Sequence, residues 1–265
     1  MPNAVKIQAL QKYDASYLIA LLAYGVFALT LAGCNLSAQQ HNVQGRQAFE
    51  YGHFSNAINE FQQALSANPQ NANAYYNLGA SYYALGKQTK NQQWATQAEQ
   101  LYRQAISLDD QHTDAHRGLA ALLIETNREQ FAFDLLNQWK QRYPGSTDPY
   151  VELARVYQEY GDTRRATDLL ADALQINPNS VRALKSMGLV RETQGQMHLA
   201  LDNYLRVLQL DRQQTAVAQR VASLQQRLAA LPVQNGAASN NPQLGNTPSN
   251  TNPARYGAVD PYLTR

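Results

Sequence analysis

The sequence predicts an all-α fold, a solenoid of five helical hairpins followed by a capping helix. Five thirteen-residue segments align without gaps, and each starts with alanine and carries an aromatic residue or leucine four positions later. Their starts are 41 residues apart once and 34 residues apart three times. A fixed period of this length is typical of stacked repeats, because one hairpin cannot bury its apolar face alone. The segments are AINEFQQALSANP from Ala57, AEQLYRQAISLDD from Ala98, AFDLLNQWKQRYP from Ala132, ATDLLADALQINP from Ala166 and ALDNYLRVLQLDR from Ala200.

An amphipathic stretch precedes each segment and is expected to form the first helix of its hairpin. A small residue lies at the middle of each stretch: Gly45, Gly79, Ala120, Ala154 and Gly188. Each stretch closes on a glycine or asparagine: Gly52, Gly86, Asn127, Gly161 and Gly195. These residue types adopt the left-handed helix-ending conformation most readily, so this column predicts the turn within each hairpin. Proline ends three of the second helices, at Pro69, Pro144 and Pro178.

A 34-residue unit with this pattern resembles the tetratricopeptide repeat, or TPR. The resemblance covers about residues 38–212. It implies a right-handed superhelical solenoid of five TPR hairpins. Arrays of this family hold peptides or partner proteins in a groove formed by their first helices, so the same role is expected of this chain.

Local departures from the repeat pattern predict local changes in packing. Asp110 and Arg212 replace the proline that ends other second helices, which weakens the stop signal there. Trp139 stands where the other repeats have alanine or valine, so repacking is expected around it. In the first repeat, His41 and Gln44 replace large apolar residues. That repeat is therefore expected to be irregular or to act as an N-terminal cap.

The 41-residue interval contains about seven extra residues near KQTKNQQ, residues 87–93. Seven residues make nearly two helical turns, so adding them at the start of the second helix preserves the phase of its apolar face. This predicts a second helix about 10 Å longer than its neighbours, at 1.5 Å per residue. A disordered loop is the alternative. Either form would project from the solenoid, where a partner could reach it.

Beyond the repeats, the pattern changes twice. Apolar residues recur at alternating spacings of four and three, at Val217, Val221, Leu224, Leu228 and Leu231. One apolar stripe predicts a helix that caps the solenoid, which would then span residues 38–231. A dimeric coiled coil uses the same spacing, but this pattern barely exceeds two heptads. Residues 232–265 contain five Pro, three Gly and six Asn, which predicts a disordered tail whose last residues, RYGAVDPYLTR, could form a docking motif.

The N-terminus has the features of an export signal. Lys6 and Lys12 precede an uncharged run of 19 residues over 15–33. The run ends in Leu-Ala-Gly-Cys, and Cys34 is the single cysteine in the chain. This ending resembles the lipobox of bacterial lipoproteins, in which diacylglycerol alkylates the cysteine sulfur and the peptide is cut just before it. An uncleaved signal anchor is the alternative, because roughly 20 residues span a bilayer.

The lipobox resemblance implies a signal peptide over 1–33, lipidation of Cys34 and a short tether over 34–37. Several acyl chains would make the attachment to the membrane effectively permanent. Asn35 follows the cysteine where an aspartate would favour inner-membrane retention in enterobacterial lipoproteins. The expected location is therefore the bacterial cell envelope, with the lipid anchor in the outer membrane and the chain facing the periplasm.

Composition and motifs indicate no catalytic chemistry. The chain has 22 basic and 20 acidic side chains, a balance that gives no reason to expect a nucleic-acid partner. One cysteine excludes an internal disulfide framework and a cysteine-rich zinc site. His112 and His116 have the spacing of a helical metal pair, but the repeat places them in a turn and in the next helix, so packing roles are expected. Glycine-rich phosphate loops and G-x-S-x-G are absent from the sequence, and we expect no enzyme activity, cofactor or metal.

The candidate partner-binding residues are those that the repeat register places on the groove face of the first helices. They are Tyr76, Tyr83, Arg117, Arg155, Arg182 and Lys185, interleaved with Glu152, Glu159 and Glu192. Aromatic and arginine side chains suit this role because they supply contact area and directed hydrogen bonds. The Lys and Asn set with which some family members clamp a terminal carboxylate is incomplete here, since Asn77 alone fits.

These features together predict a membrane-anchored TPR lipoprotein that acts as a scaffold or adaptor in the assembly of a cell-envelope complex. Its expected partners are other proteins or peptides of the envelope, and the membrane through the N-terminal lipid. The alternative function is an accessory domain that presents a ligand or substrate to an envelope enzyme, such as a peptidoglycan hydrolase or a protease. A purely structural role is a third possibility.

Overall fold

Residues 36–230 are described by the computed structural model of the chain. The predicted signal peptide over 1–33, the predicted lipidation site Cys34 and the predicted tail over 232–265 lie outside these residues. Within 36–230, none of the helices is both long enough and apolar enough to cross a bilayer.

Every regular element within residues 36–230 is an α-helix, which confirms the all-α prediction. The eleven helices of this part of the chain follow one another as five hairpins and a final helix. They are α1 (residues 36–50), α2 (Phe54–Ala67), α3 (Ala72–Thr89), α4 (Gln93–Leu108), α5 (Thr113–Glu125), α6 (Glu129–Arg142), α7 (Asp148–Glu159), α8 (Thr163–Ile176), α9 (Val181–Thr193), α10 (Met197–Leu210) and α11 (Thr215–Ala229).

The helices form two compact units that divide after Pro144. The first unit contains the three hairpins α1–α2, α3–α4 and α5–α6. The second unit contains the hairpins α7–α8 and α9–α10, followed by α11. Within the second unit each helix packs on the next, and α7 also contacts α9.

Close packing within the hairpins explains the aligned alanines. All five are completely buried: Ala57, Ala98, Ala132, Ala166 and Ala200. A larger side chain at this position would hold the two helices of a hairpin apart, because interiors are packed with few voids.

At the middle of each hairpin, the size of one residue on the first helix matches the size of one residue on the second helix. Four residues after the aligned alanine, the second helix buries one large side chain: Phe61, Tyr102, Leu136, Leu170 or Tyr204. Where that side chain is aromatic, the first helix has glycine (Gly45, Gly79 and Gly188). Where it is leucine, the first helix has alanine (Ala120 and Ala154). A Cβ atom on Gly188 would lie 2.5 Å from the Tyr204 ring, so glycine is needed to admit the ring.

The predicted left-handed turn between the two helices is confirmed in four of the five hairpins. Gly52, Asn127, Gly161 and Gly195 have φ of 75°, 57°, 76° and 74°, the left-handed conformation that ends a helix. Gly86 breaks the rule because it lies inside α3. That helix instead ends before Lys90, which has φ of 54°.

The prediction for the 41-residue interval is wrong in its placement of the extra residues. Most of them extend the end of the first helix, since α3 has 18 residues whereas α5 has 13. The second helix, α4, has 16 residues against 14 in α2, and the disordered loop of the alternative is absent between Thr89 and Gln93. Gly86 shows why: a Cβ there would lie 2.9 Å from the Cβ of Trp94, so the missing side chain lets α4 approach a continuous α3. Trp94 then stacks on Tyr82 with ring centroids 5.2 Å apart.

The second helices all end at the same repeat position, including the two that lack proline. They end at Ala67, Leu108, Arg142, Ile176 and Leu210. Asp109 and Asp211 each accept a hydrogen bond from the backbone N–H two residues on, at 3.1 and 2.9 Å. Asn68 and Asn177 do the same at 3.1 and 3.0 Å. A side-chain turn of this kind competes with helix continuation, so the weaker stop expected at Asp110 and Arg212 has no effect on where the helices end.

Polar and aromatic pairs account for the two unusual repeats of the first unit. In the first hairpin, His41 Nδ1 lies 2.8 Å from Glu60 Oε2, so a polar pair replaces the apolar contact of other repeats. In the third hairpin, Trp139 is buried and stacks on His116, with ring centroids 4.1 Å apart and an interplanar angle of 3°. The repacking predicted around Trp139 is therefore confirmed.

The last helix caps the second unit as predicted. Val217, Val221 and Leu224 are buried against Tyr204 and Val207 of α10. Leu228 is partly buried and Leu231 lies outside the described residues, so three of the five stripe residues are already packed within one chain, which argues against the coiled-coil alternative.

Candidate functional site

In the first unit, α3 and α5 carry three of the six predicted binding residues, Tyr76, Tyr83 and Arg117, close to His112 and His116. Tyr76 is buried, with its ring 5.9 Å from Tyr102 and 5.4 Å from His112 between centroids. His112 caps α5: its Nδ1 accepts the Ala115 N–H at 3.2 Å, so its Nε2–H donates to the Asn73 Oδ1 at 3.1 Å. Tyr76 therefore belongs to the packing between repeats and presents little surface to a partner.

Tyr83 lies where the ends of α3 and α5 meet. The Lys87 ammonium is 5.3 Å from the centroid of the Tyr83 ring and forms an ion pair of 3.1 Å with Glu125. Burial raises the pKa of the Tyr83 hydroxyl well above its usual value, and the Glu125 carboxylate raises it further. The hydroxyl therefore stays neutral at physiological pH and can act in hydrogen bonding or packing but not as a phenolate nucleophile.

Arg117 is the third predicted residue of the first unit. Its side chain is 19% exposed, and its Nη1 donates to Asp114 Oδ1 at 3.1 Å on the same helix. His116, its neighbour in sequence, lies in the stack with Trp139. Within residues 36–230, no three His, Cys, Asp or Glu side chains are placed so that they could hold a metal ion.

In the second unit, charged side chains and the amide of Gln214 connect the three helices α7, α9 and α11. We call this the α7–α9–α11 surface. It consists of Asp148, Glu152, Arg155, Glu159, Arg182, Lys185, Glu192, Gln214, Arg220 and Arg227.

Glu152 is the centre of the first half of this surface. Its side chain is 1% exposed, yet its two oxygens accept from two arginines: Oε2 from Arg155 Nε at 3.2 Å and Oε1 from Arg182 Nη2. Arg182 also pairs with Asp148 at 2.5 Å, and Arg155 pairs with Glu159. A buried carboxylate is tolerated when it is paired in this way, and its two guanidinium partners are fixed in return.

Arg155 and Arg182 nevertheless remain 29% and 35% exposed. Each side chain is therefore held by Glu152 and still has part of its surface in contact with solvent, although the Nη2 atom of Arg155 is itself buried. The repeat register correctly placed Arg155, Arg182 and Glu152 on the same face, but it gave no indication that Glu152 is the buried member that joins α7 to α9.

The second half of the surface joins α9 to α11. Lys185 Nζ donates to Gln214 Oε1 at 3.0 Å. Glu192, which is 21% exposed, pairs with Arg220 at 2.9 Å and with Arg227 at 3.6 Å. Tyr204 also donates its hydroxyl to Glu192, at 3.2 Å. Arg220 and Arg227 were absent from the residues predicted from the sequence, although their seven-residue spacing on the polar side of the capping helix was a usable signal.

Comparison with known proteins supports the repeat assignment. Residues 45–86 match a family model described as TPR repeat, and residues 90–147 match one described as tetratricopeptide repeat. A TPR repeat-containing protein of Methanocaldococcus jannaschii is 22% identical over 169 residues, which are 63% of this chain and 30% of that protein. Superkiller complex protein 3 of Mus musculus is 24% identical over 228 residues, 72% of this chain and 14% of that protein. The chain thus spans less than a third of the length of either relative.

Among solved structures, a thermophilic TPR protein of Thermus thermophilus is similar with a TM-score of 0.55 and 18% sequence identity. The similarity covers 71% of this chain and 99% of that protein. At this identity the comparison shows the fold alone. The five helical hairpins, the two family matches and this shared fold show that the chain contains tetratricopeptide repeats.

Proposed function

We propose that this protein is a lipid-anchored scaffold that binds other proteins or peptides of the bacterial cell envelope and helps to assemble a membrane-associated complex. The binding part of this proposal is supported by the repeats, since TPR proteins generally mediate protein–protein interactions. The anchoring part is supported by the lipobox-like ending of the apolar run and by the single cysteine, Cys34.

The observation that carries the binding proposal is the buried Glu152 with its two partly exposed arginines. Arginine is favoured at protein interfaces because its planar guanidinium forms several directed hydrogen bonds. Arg155 and Arg182 are fixed on two helices before any partner arrives. Side chains that are already ordered lose less conformational entropy on binding, so they contribute more of their contact energy to affinity.

The tether length supports a position close to the membrane. The predicted tether over 34–37 is too long, because α1 already begins at residue 36 and only Asn35 separates it from Cys34. Two residues reach about 7 Å even when fully extended. With Cys34 lipidated, the first hairpin would therefore lie next to the bilayer surface.

The anchoring proposal predicts that Cys34→Ser loses both lipid labelling and processing of the chain. We expect the wild-type chain in the membrane fraction, labelled by radioactive palmitate. On a denaturing gel it should migrate faster than the unprocessed chain. Cys34→Ser removes the acceptor sulfur, so we expect no label and no processing before residue 34. Equal fractionation of the two proteins as soluble species would contradict the anchor.

The binding proposal predicts partner loss when the arginines keep their charge but lose their planar donors. The double variant changes Arg155→Lys and Arg182→Lys. In crosslinking and pull-down from membranes, we expect it to recover a smaller amount of at least one envelope protein than the wild type recovers. Lysine is the appropriate replacement because it cannot reproduce bidentate contacts. An unchanged set of captured proteins would contradict the role of this surface, and a small ligand retained in place of proteins would favour the alternative of an accessory domain.

A further inference from the structure

The first described helix, α1, places its larger apolar side chains on the outside. Leu36 and Val43 are 70% and 49% exposed, whereas Ala38 and Gly45 are buried. Gly45 lies against the Phe61 ring of α2, so the small residues form the inner side of the helix. Leu36 and Val43 are one heptad apart and therefore lie on the same outer side. One exposed leucine is ordinary on a protein surface, but this pair forms a short apolar stripe.

The last described helix, α11, has the opposite arrangement. Its apolar residues Val217, Val221 and Leu224 are buried, and α11 carries none of the large apolar side chains that are exposed within residues 36–230. A polar outer side is what the end of a repeat array needs when it faces water. The outer side of α1 departs from this rule at Leu36 and Val43, which indicates that something covers it.

The position of α1 in the chain indicates what covers this side. Only Asn35 lies between Cys34 and Leu36. Two residues reach about 7 Å even when fully extended. With Cys34 lipidated, Leu36 therefore lies within this distance of the cysteine that carries the acyl chains. A partner protein would have to enter the narrow space between α1 and the bilayer, whereas the bilayer is already there.

The charged residues of α1 limit how far the membrane contact extends. Arg46 is exposed and follows Val43 by three residues, so it lies beside Val43 and can contact anionic lipid headgroups. Glu50 is exposed one heptad after Val43, about 21 Å along the helix from Leu36. A carboxylate is costly in the apolar part of a bilayer and is repelled by anionic lipids. The contact therefore includes the first half of α1 and ends before Glu50.

We propose that the first half of α1 is a membrane-contact surface, in which Leu36 and Val43 enter the headgroup region and Arg46 contacts anionic headgroups. Helices that lie at an interface bury their apolar side by about 5–10 Å in this way. This inference rests on the proposed function, because it needs the lipid on Cys34. It extends that function by naming the side of the first hairpin that faces the bilayer.

The test places a fluorescent label at Val43 in the lipidated chain. The chain is reconstituted in vesicles of phosphatidylethanolamine and phosphatidylglycerol, and Val43→Cys is labelled with the environment-sensitive fluorophore NBD. Cys34 is the single native cysteine and its sulfur carries the lipid, so the introduced thiol is the one that reacts. A phospholipid with a nitroxide near its headgroup then quenches labels that lie at the bilayer surface. We expect strong quenching and a blue-shifted emission at this position.

Two matched labels separate contact by the apolar side from closeness through the tether. Gln44→Cys is also exposed but is turned about 100° from Val43. Glu50→Cys lies on the same side, one heptad further along. Quenching at Val43 should exceed quenching at either control by about twofold or more. Leu36→Gln in the Val43-labelled chain should reduce the quenching, while the acyl chains keep the protein on the vesicles.

Several outcomes would overturn this surface. Equal quenching at Val43 and Gln44, or no effect of Leu36→Gln, would show that the tether alone brings α1 near the lipid. A blue-shifted Val43 label that the nitroxide lipid does not quench would show that a protein covers this side. A chain that carries palmitate and floats with the vesicles but shows no quenching at Val43 would refute the surface and leave the anchor standing. A chain without palmitate that stays off the vesicles would refute both.

Discussion

Replacing Glu152 by glutamine should destabilise the second unit by about 2–3 kcal/mol. The variant keeps the size of the side chain but removes the negative charge that holds Arg155 and Arg182 together. Breaking a buried ion pair from one side usually costs more, about 3–5 kcal/mol. We expect the lower figure because the two arginines are 29% and 35% exposed and can turn partly into water. Urea denaturation followed by circular dichroism measures the loss.

Glu159→Gln is the matched control for this prediction. Glu159 also pairs with Arg155, but its side chain is 45% exposed. Surface pairs contribute about 0–1 kcal/mol, so this variant should unfold close to the wild type. Hydrogen exchange locates the effect, and the Glu152 variant should lose protection in α7 and α9. Equal stability of the two variants would show that Glu152 is not the residue that joins these helices.

The sequence predicted helix positions well at those repeat positions where a residue type has a single structural role. The apolar spacing set the five second helices, and the left-handed residues Gly52, Gly161 and Gly195 marked three turns. Gly86 was misread because glycine has two separate uses. It can supply a left-handed turn, or it can admit a neighbouring side chain inside a helix, as Trp94 requires here. A glycine in a single sequence does not show which of these two roles it has.

The candidate site was predictable as a face but not as a set of contacts. Repeat register places Tyr76 and Arg155 on first helices, yet Tyr76 is buried between two rings and Arg155 is partly exposed. The difference depends on which side chain of the next repeat lies opposite, and this is a property of packing between repeats. Arg220 and Arg227 were missed for a related reason. Reading α11 from its apolar stripe assigns it a capping role and leaves its polar side unexamined.

Gly188→Ala should destabilise the second unit by about 2 kcal/mol, although alanine is normally the better helix former. The added Cβ would lie 2.5, 2.8 and 2.9 Å from three atoms of the Tyr204 ring. That ring is 2% exposed and its hydroxyl is bonded to Glu192, so it cannot turn away. Gly145→Ala is the control, because a Cβ there has no atom within 4 Å, and its effect should be small.

A double-mutant cycle that combines Gly188→Ala with Tyr204→Leu tests whether the glycine and the aromatic ring are energetically coupled. Tyr204→Leu alone should cost about 1–3 kcal/mol, because it leaves space next to Gly188. The double variant recreates the alanine and leucine pairs of Ala120 with Leu136 and of Ala154 with Leu170. It should therefore be more stable than the sum of the single changes predicts, by about 1–2 kcal/mol. Strict additivity in urea denaturation would mean that the glycines and aromatic rings coincide without packing as pairs.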